Sequence, residues 1–365
     1  VRRETETGSE HLVYDNKFEG EKRMFRKKPI LAISSLLILT LSLVGCGGKP
    51  AATTEKEVKP IIVKFAHVVT PDTPKGQAAL KFKELAEQKT NGKVIVEVYP
   101  SSQLYGDKEE LEAAQSGNVQ IIAPSVTKLV GLNPKFQYTD LPFLFPNNEA
   151  VYKFFASDEM KGLMNSLDKY NLQGLAVWPN GFKQFTNNKR PLVTPEDFKG
   201  LKFRTQAGKV LEAQFKALGA GSATIAFGET YAALQQGTVD GQENTYNNID
   251  TQKYQEIQKY LTVSNHGRLD YMIIVNKDFW SGLAPDIRKA LDDSMAEATK
   301  FSVEQAELLD KKSMDNLKKS GKIQFTELTP AQLGVFQETM KPVYAQFESV
   351  LSKELIDAAI KAGKK

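Results

Sequence analysis

One cysteine, three histidines and two tryptophans in 365 residues leave little material for several kinds of chemistry. A lone cysteine, Cys46, can form no internal disulfide and supplies no second thiolate to a metal. His11, His67 and His266 are too few and too scattered for a catalytic metal set, so no metal and no cofactor are expected. No GxSxG, HExxH or Cys–His constellation occurs. Gly219 and Gly221 in "ALGAGSA" belong to no GxGxxG or GK[ST] signature and read as a turn. The apolar run Ile30 to Val44 has roughly 15 residues, short of the about 20 that span a membrane. Charge of one sign is also missing. Residues 1–45 hold eight Lys/Arg and six Asp/Glu, so the remaining chain carries 40 against 38. A near-neutral body without basic clusters excludes a nucleic-acid partner.

The N-terminal region is informative about place. From Met24 the chain reads "MFRKKP", then the apolar run, then "LVGCGG". A basic start before an apolar stretch of that length is a secretory leader, residues 24–45. The ending "LVGC" resembles the bacterial lipobox, whose cysteine takes a lipid and becomes the new N-terminus, here Cys46. Residues 1–23 then precede the leader and are expected to be an upstream extension, with Met24 as the start. The codons for "EGEKR" are purine-rich, as a ribosome-binding site would be. After Cys46, "GGKPAATTEKEVKP" is small, polar and without apolar period, a flexible tether over 46–59.

About 300 residues remain, enough for two domains. "IIVKFAH" (61–67) alternates as a strand, and "KGQAALKFKELAEQKT" has apolar residues at helical spacing. "KVIVEVYP" is a strand stopped by Pro100. "DKEELEAAQSG" is predicted as a helix capped by Asp107, with Glu109 and Glu110 explained by its macrodipole. "VQIIAPS" reads as a buried strand. The alternation resumes with strands at 173–179, 201–205 and 223–227 and helices at 208–218 and 229–236. This is an α/β pattern with a mainly parallel sheet. Between Ala284 and Lys319 there is no glycine and only Pro285, in the first turn. One unbroken helix there would run about 54 Å. It either breaks near residues 301–303 or lies across two domains; the brace is the expectation.

Residues 181–205, "GFKQFTNNKRPLVTPEDFKGLKFRT", carry six cations: Lys183, Lys189, Arg190, Lys199, Lys202 and Arg204. Thr194-Pro195-Glu196-Asp197 is a helix start with a capping residue, a first-turn proline and an acid three places on. "LKFRT" alternates, with Leu201, Phe203 and Thr205 on one face and Lys202 and Arg204 on the other. Pattern alone therefore leaves Arg204 on a solvated face. Its place at a strand end before a helix also suits a ligand crevice, where a guanidinium can grip a carboxylate with two hydrogen bonds.

"NGFKQFTNNKRPLVTPEDFKGLKFRT", "VLEAQFKALGA", "AFGETYAALQQGTVDGQEN" and "KYQEIQKYLTVSNHG", with "YPSSQLYGDKEEL" and "DLPFLFP" earlier, are ordered motifs. Together they resemble the solute-binding proteins of tripartite ATP-independent periplasmic (TRAP) transporters, the DctP dicarboxylate-binding type in particular, from about Ile61 to the C-terminus. The resemblance implies a two-lobed, periplasmic-binding-protein-like α/β fold of the class II type, with hinge strands and a long helix bracing both lobes. Residues 60–180 with 270–309 would form lobe 1, and 181–269 with 310–365 lobe 2. It implies a ligand-gripping role for Arg204, a second cation at Lys183, a donor at Asn244 with Glu243 beside it, and Phe227 packed on the ligand's carbon chain. Lys183 stands where many members carry arginine and offers a point charge, not a planar fork. By resemblance the chain is no enzyme but an extracytoplasmic, lipid-anchored receptor for a small organic-acid anion. Its implied partners are large and small TRAP permease subunits, with a sensor kinase as a further one.

Overall fold

Residues 59–364 are described by the structure, a computed structural model. The upstream extension, the leader, Cys46 and the tether up to Val58 lie outside the described residues. The strands are β1 (Ile61–Ala66), β2 (Val94–Tyr99), β3 (Ile121–Ile122), β4 (Leu172–Phe182), β5 (Gln184–Asn187), β6 (Lys202–Thr205), β7 (Gly221–Thr224), β8 (Gly241–Asn244), β9 (Tyr260–Val263), β10 (Arg268–Asn276) and β11 (Gln324–Glu327). They form two sheets, one ordered β2-β1-β3-β10-β4 and the other β11-β9-β5-β8-β6-β7.

The sheets are mixed, not mainly parallel. β1 pairs in parallel with β2 and β3, and β6 with β7 and β8. β10 runs antiparallel to β3 and β4, and β5 antiparallel to β8 and β9. The reason is that the chain crosses between sheets here. β4 ends at Phe182 in one sheet and β5 begins at Gln184 in the other, with only Lys183 between. Residues 264–267 carry the return crossing into β10.

Local sequence explains most elements. Val63 and Phe65 alternate inward along β1 and are fully buried. Helix Pro74–Lys89 starts where Thr73 accepts a hydrogen bond from the Gly76 amide, and Pro74 occupies its first turn. The turn at Thr194 has the capping box its sequence signals, with Asp197 returning to the Thr194 amide. The strand expected from "VQIIAPS" contracts to Ile121–Ile122. The capping role assigned to Asp107 is not observed: the helix starts at Glu110, and Glu109 holds the cap position without a side-chain bond.

Helix Pro285–Ser320 is unbroken through 36 residues. Its Ile287, Leu291, Met295 and Ala298 pack with Phe65, Phe82 and Trp178 under the first sheet. Its Leu317 packs with Leu261 of the second and with Ile323 just before β11. Small residues, Ser302 and Ala306, are buried along its middle. The C-terminal segment does not stay with lobe 2. Helix Pro330–Leu351 puts Phe336 and Met340 into the second lobe's core, then Val343, Phe347 and Leu351 into the first. Helix Lys353–Ala362 adds Leu355, Ile356 and Ala359 to that first core.

Candidate functional site

A cavity lies between the two sheets, and its walls come from the segments that follow parallel strands. Val68 and Val69 follow β1, Asp107 and Glu110 follow β2, and Ser125 and Lys128 follow β3. From the other lobe, Arg204 and Gln206 close β6, Phe227 follows β7 and Asn248 follows β8. Carboxyl ends of parallel strands are where open α/β sheets place ligands. The cavity is closed down to about 20 Å³, room for roughly one water. A small organic anion needs the lobes to part or these side chains to swing. Larger hollows exist, one of about 380 Å³ behind the hinge around Arg268 and Asp310. That one lacks Arg204.

Arg204 is 1 % exposed, contrary to the solvated face its alternation with Lys202 suggested. Lys202, two residues earlier, stays exposed. The opposite lobe covers the end of β6 but not its start. Arg204 Nε donates to the Ile225 carbonyl at 2.9 Å, while Nη2 is buried without a partner. Burial pushes the guanidinium below its ordinary value, and the neighbouring Tyr254, Asp107 and Glu243 act to restore it. Phe227 is also buried in the wall, and its amide donates to Asp107 Oδ2 at 3.2 Å. Asn244 sits at the end of β8, next to the wall rather than in it. Its Oδ1 accepts from Asn248 Nδ2 at 2.8 Å, and its own Nδ2 is buried and unpaired.

Lys183 and Glu243 lie elsewhere. The Lys183 ammonium donates to Glu243 Oε1 at 2.7 Å and Asp140 Oδ1 at 3.0 Å, at the crossing from β4 to β5. Glu243 Oε2 meets His266 Nε2 at 2.7 Å and accepts from Gln214 Nε2 at 3.0 Å. His266 continues to Ser264 Oγ at 2.7 Å and stacks on Phe185, ring centroids 3.6 Å apart. Burial opposes charge throughout this network. The carboxylates nevertheless hold Lys183 above its ordinary value, and Lys183 with His266 holds Glu243 well below the usual carboxylate range. The ammonium is therefore committed to protein carboxylates, and neither side chain lines the cavity that Arg204 and Phe227 share.

The sequence matches the family model of bacterial extracellular solute-binding proteins, family 7 (DctP), over residues 65–350. The chain belongs to that family. It is 48 % identical over 305 residues to the C4-dicarboxylate-binding periplasmic protein DctP of Rhodobacter capsulatus, covering 83 % of this chain and 91 % of that one. It is 42 % identical over 296 residues to the C4-dicarboxylate-binding protein DctB of Bacillus subtilis, covering 81 % and 85 %. Among solved structures, a TRAP periplasmic solute-binding protein of Shewanella oneidensis with bound succinate aligns at a TM-score of 0.82 and 42 % identity, over 84 % of this chain and all of that one. The two-lobed α/β fold is thus the fold of TRAP solute-binding proteins.

For a family 7 protein, the cavity contains more than its sequence motifs suggested. Glu110, explained beforehand by a helix dipole, is buried in the wall with both carboxylate oxygens unpaired. Lys75 is buried behind it, donating to the Ala123 carbonyl at 2.8 Å and lying 3.6 Å over the Tyr271 ring. A cation in the first turn of a helix opposes the macrodipole, and that misfit was the one available signal for Lys75. His67 is buried beside it and held neutral, pushed down to about 3 by burial and by Lys75. His266, counted in the sequence only as one of three scattered histidines, is a buried partner of Glu243. Among the described residues no cluster of His, Cys, Asp and Glu could hold a metal ion.

Proposed function

We propose that this chain is an extracytoplasmic receptor that captures a four-carbon dicarboxylate such as succinate, malate or fumarate and delivers it to a TRAP-type permease. One observation carries the reading: a guanidinium buried between two lobes, anchored through Nε, with an unpaired Nη2 at the cavity. A buried donor with no partner costs about 1–3 kcal/mol, and a carboxylate is its natural complement. Phe227 supplies an apolar wall for the carbon chain, and the unpaired Nδ2 of Asn244 stands ready as a further donor. Relatives named for C4-dicarboxylate binding, at 42–48 % identity, support that ligand class over sugar acids, keto acids and other monocarboxylates. Lys183 and Glu243 act in this reading on closure at the hinge, through their ion network, rather than by touching ligand.

The same reading makes the protein a binder rather than an enzyme, in keeping with its family of extracellular solute-binding proteins. Cys46 carries the lipid anchor, and the large and small permease subunits receive the loaded form; a sensor kinase is a further receiver. Isothermal titration of purified protein against succinate, malate, fumarate, gluconate and pyruvate tests the ligand class. Saturable micromolar or tighter binding of the C4 acids is expected, and preference for gluconate or pyruvate would replace this reading with a sugar-acid or keto-acid receptor.

A further inference from the structure

We propose that Glu110 is the ligand-contacting residue of lobe 1, donating a hydrogen bond from its carboxyl group to the carboxylate of the anion farthest from Arg204. The inference rests on the C4-dicarboxylate reading and adds the second end of the site. Arg204 can grip one carboxylate from lobe 2. A dicarboxylate has another at the far end of a short chain, and the cation assigned to it by motif, Lys183, is held by Glu243 and Asp140. The opposite wall must therefore supply other donors.

Glu110 stands in that wall, 1 % exposed, with neither carboxyl oxygen bonded to any protein group. An ionised carboxylate so placed would repel the anion; a carboxylic acid there is a donor. The surroundings favour the acid. Burial pushes Glu110 up to about 8, with Asp107 and Glu109 adding to the rise and Lys75 and Lys128 working against it. Lys128 is itself paired with Asp107 at 2.9 Å, which mutes its pull. Lys75, from helix Pro74–Lys89, and Tyr271, from β10, face the same spot. Burial pushes Lys75 down to about 7, so it contributes partial positive charge at neutral pH. Acid and anion thus complement one another below about pH 8, and Lys75 adds its positive charge below about pH 7.

The sign follows directly. Ionisation of Glu110 replaces a donor with a negative charge, so succinate affinity falls as pH rises through about 8. Succinate titrations at pH 6.5, 8 and 9.5 on wild type, Glu110→Ala, Glu110→Gln and Arg204→Ala test this, with thermal unfolding to confirm that each variant is folded. Glu110→Ala should bind at least tenfold more weakly at pH 6.5. Glu110→Gln keeps a donor that cannot ionise, so it should recover part of that loss and show a shallower fall at pH 9.5, the residual slope belonging to Lys75. Unchanged affinity in Glu110→Ala, or equal pH slopes in wild type and Glu110→Gln, overturns the inference. If Arg204→Ala abolishes binding in that case, the dicarboxylate reading stands without Glu110. Failure of the wild type to bind any C4 dicarboxylate sinks the underlying reading instead.

Discussion

Arg204 gives its Nε–H to the Ile225 carbonyl, which fixes the guanidinium plane and leaves the fork for a ligand. Arg204→Ala is expected to weaken succinate binding by about 3 kcal/mol or more, read by calorimetry, because it removes one half of a buried charge pair. Lys183 has the opposite character. It already has two carboxylate neighbours, so Lys183→Met should act on stability first. Leaving Glu243 and Asp140 buried without their cation costs about 3–5 kcal/mol, visible as a lower midpoint in thermal or urea unfolding. The type and number of both residues were legible in "GFKQF" and "GLKFRT". Their different fates were not, because Asp140 and Glu243 lie 43 and 60 residues from Lys183 along the chain. No local pattern encodes such a meeting.

Elements bear out how far periodicity reaches. The helix over 285–320 was readable from its spacing and its lack of glycine, yet its partners were not. In its second half, Asp310 accepts from the Asn247 amide and Nδ2 at 3.2 and 3.3 Å, close to the hinge strand at Gly181. Burial raises the Asp310 carboxyl to about 6 from its ordinary 3.8, with Asn247 partly offsetting the rise. A raised value means the fold prefers the acid, so its stabilising effect is complete below about pH 4 and is lost as pH climbs through 6. Asp310→Asn retains an acceptor for Asn247 and should stabilise the protein at pH 7 by on the order of 2 kcal/mol, while flattening the pH 4–6 slope of the melting temperature. In β8, a Cβ on Gly241 would meet the Thr186 carbonyl at 2.3 Å and the Phe203 ring at 2.6 Å. Gly241→Ala should therefore cost about 1–3 kcal/mol in urea unfolding, since packed backbone cannot retreat.

At the scale of the molecule, closure is held by contacts that cross the cavity. Asp107 in lobe 1, paired with Lys128 of the same lobe at 2.9 Å, accepts the Phe227 amide of lobe 2. Ser125 Oγ donates to Gln206 Oε1 at 3.3 Å, and Lys128 Nζ to the Gln206 carbonyl at the same distance. Asp107→Ala removes a charged acceptor from this seam, so succinate affinity should drop about tenfold or more and X-ray scattering of the free protein should report a larger radius of gyration. Alternation and helical spacing by themselves determined the α/β class, the long helix and the types of those elements read from them, because these depend on neighbours within a few residues. The order of motifs determined the family. Only the tertiary structure decided which charges are buried. Burial of Arg204 and Glu110 depends on the other lobe covering the strand ends, and that of Lys183 on Asp140 and Glu243 meeting it at the crossing; a covering surface leaves no trace in the alternation of the strand beneath it.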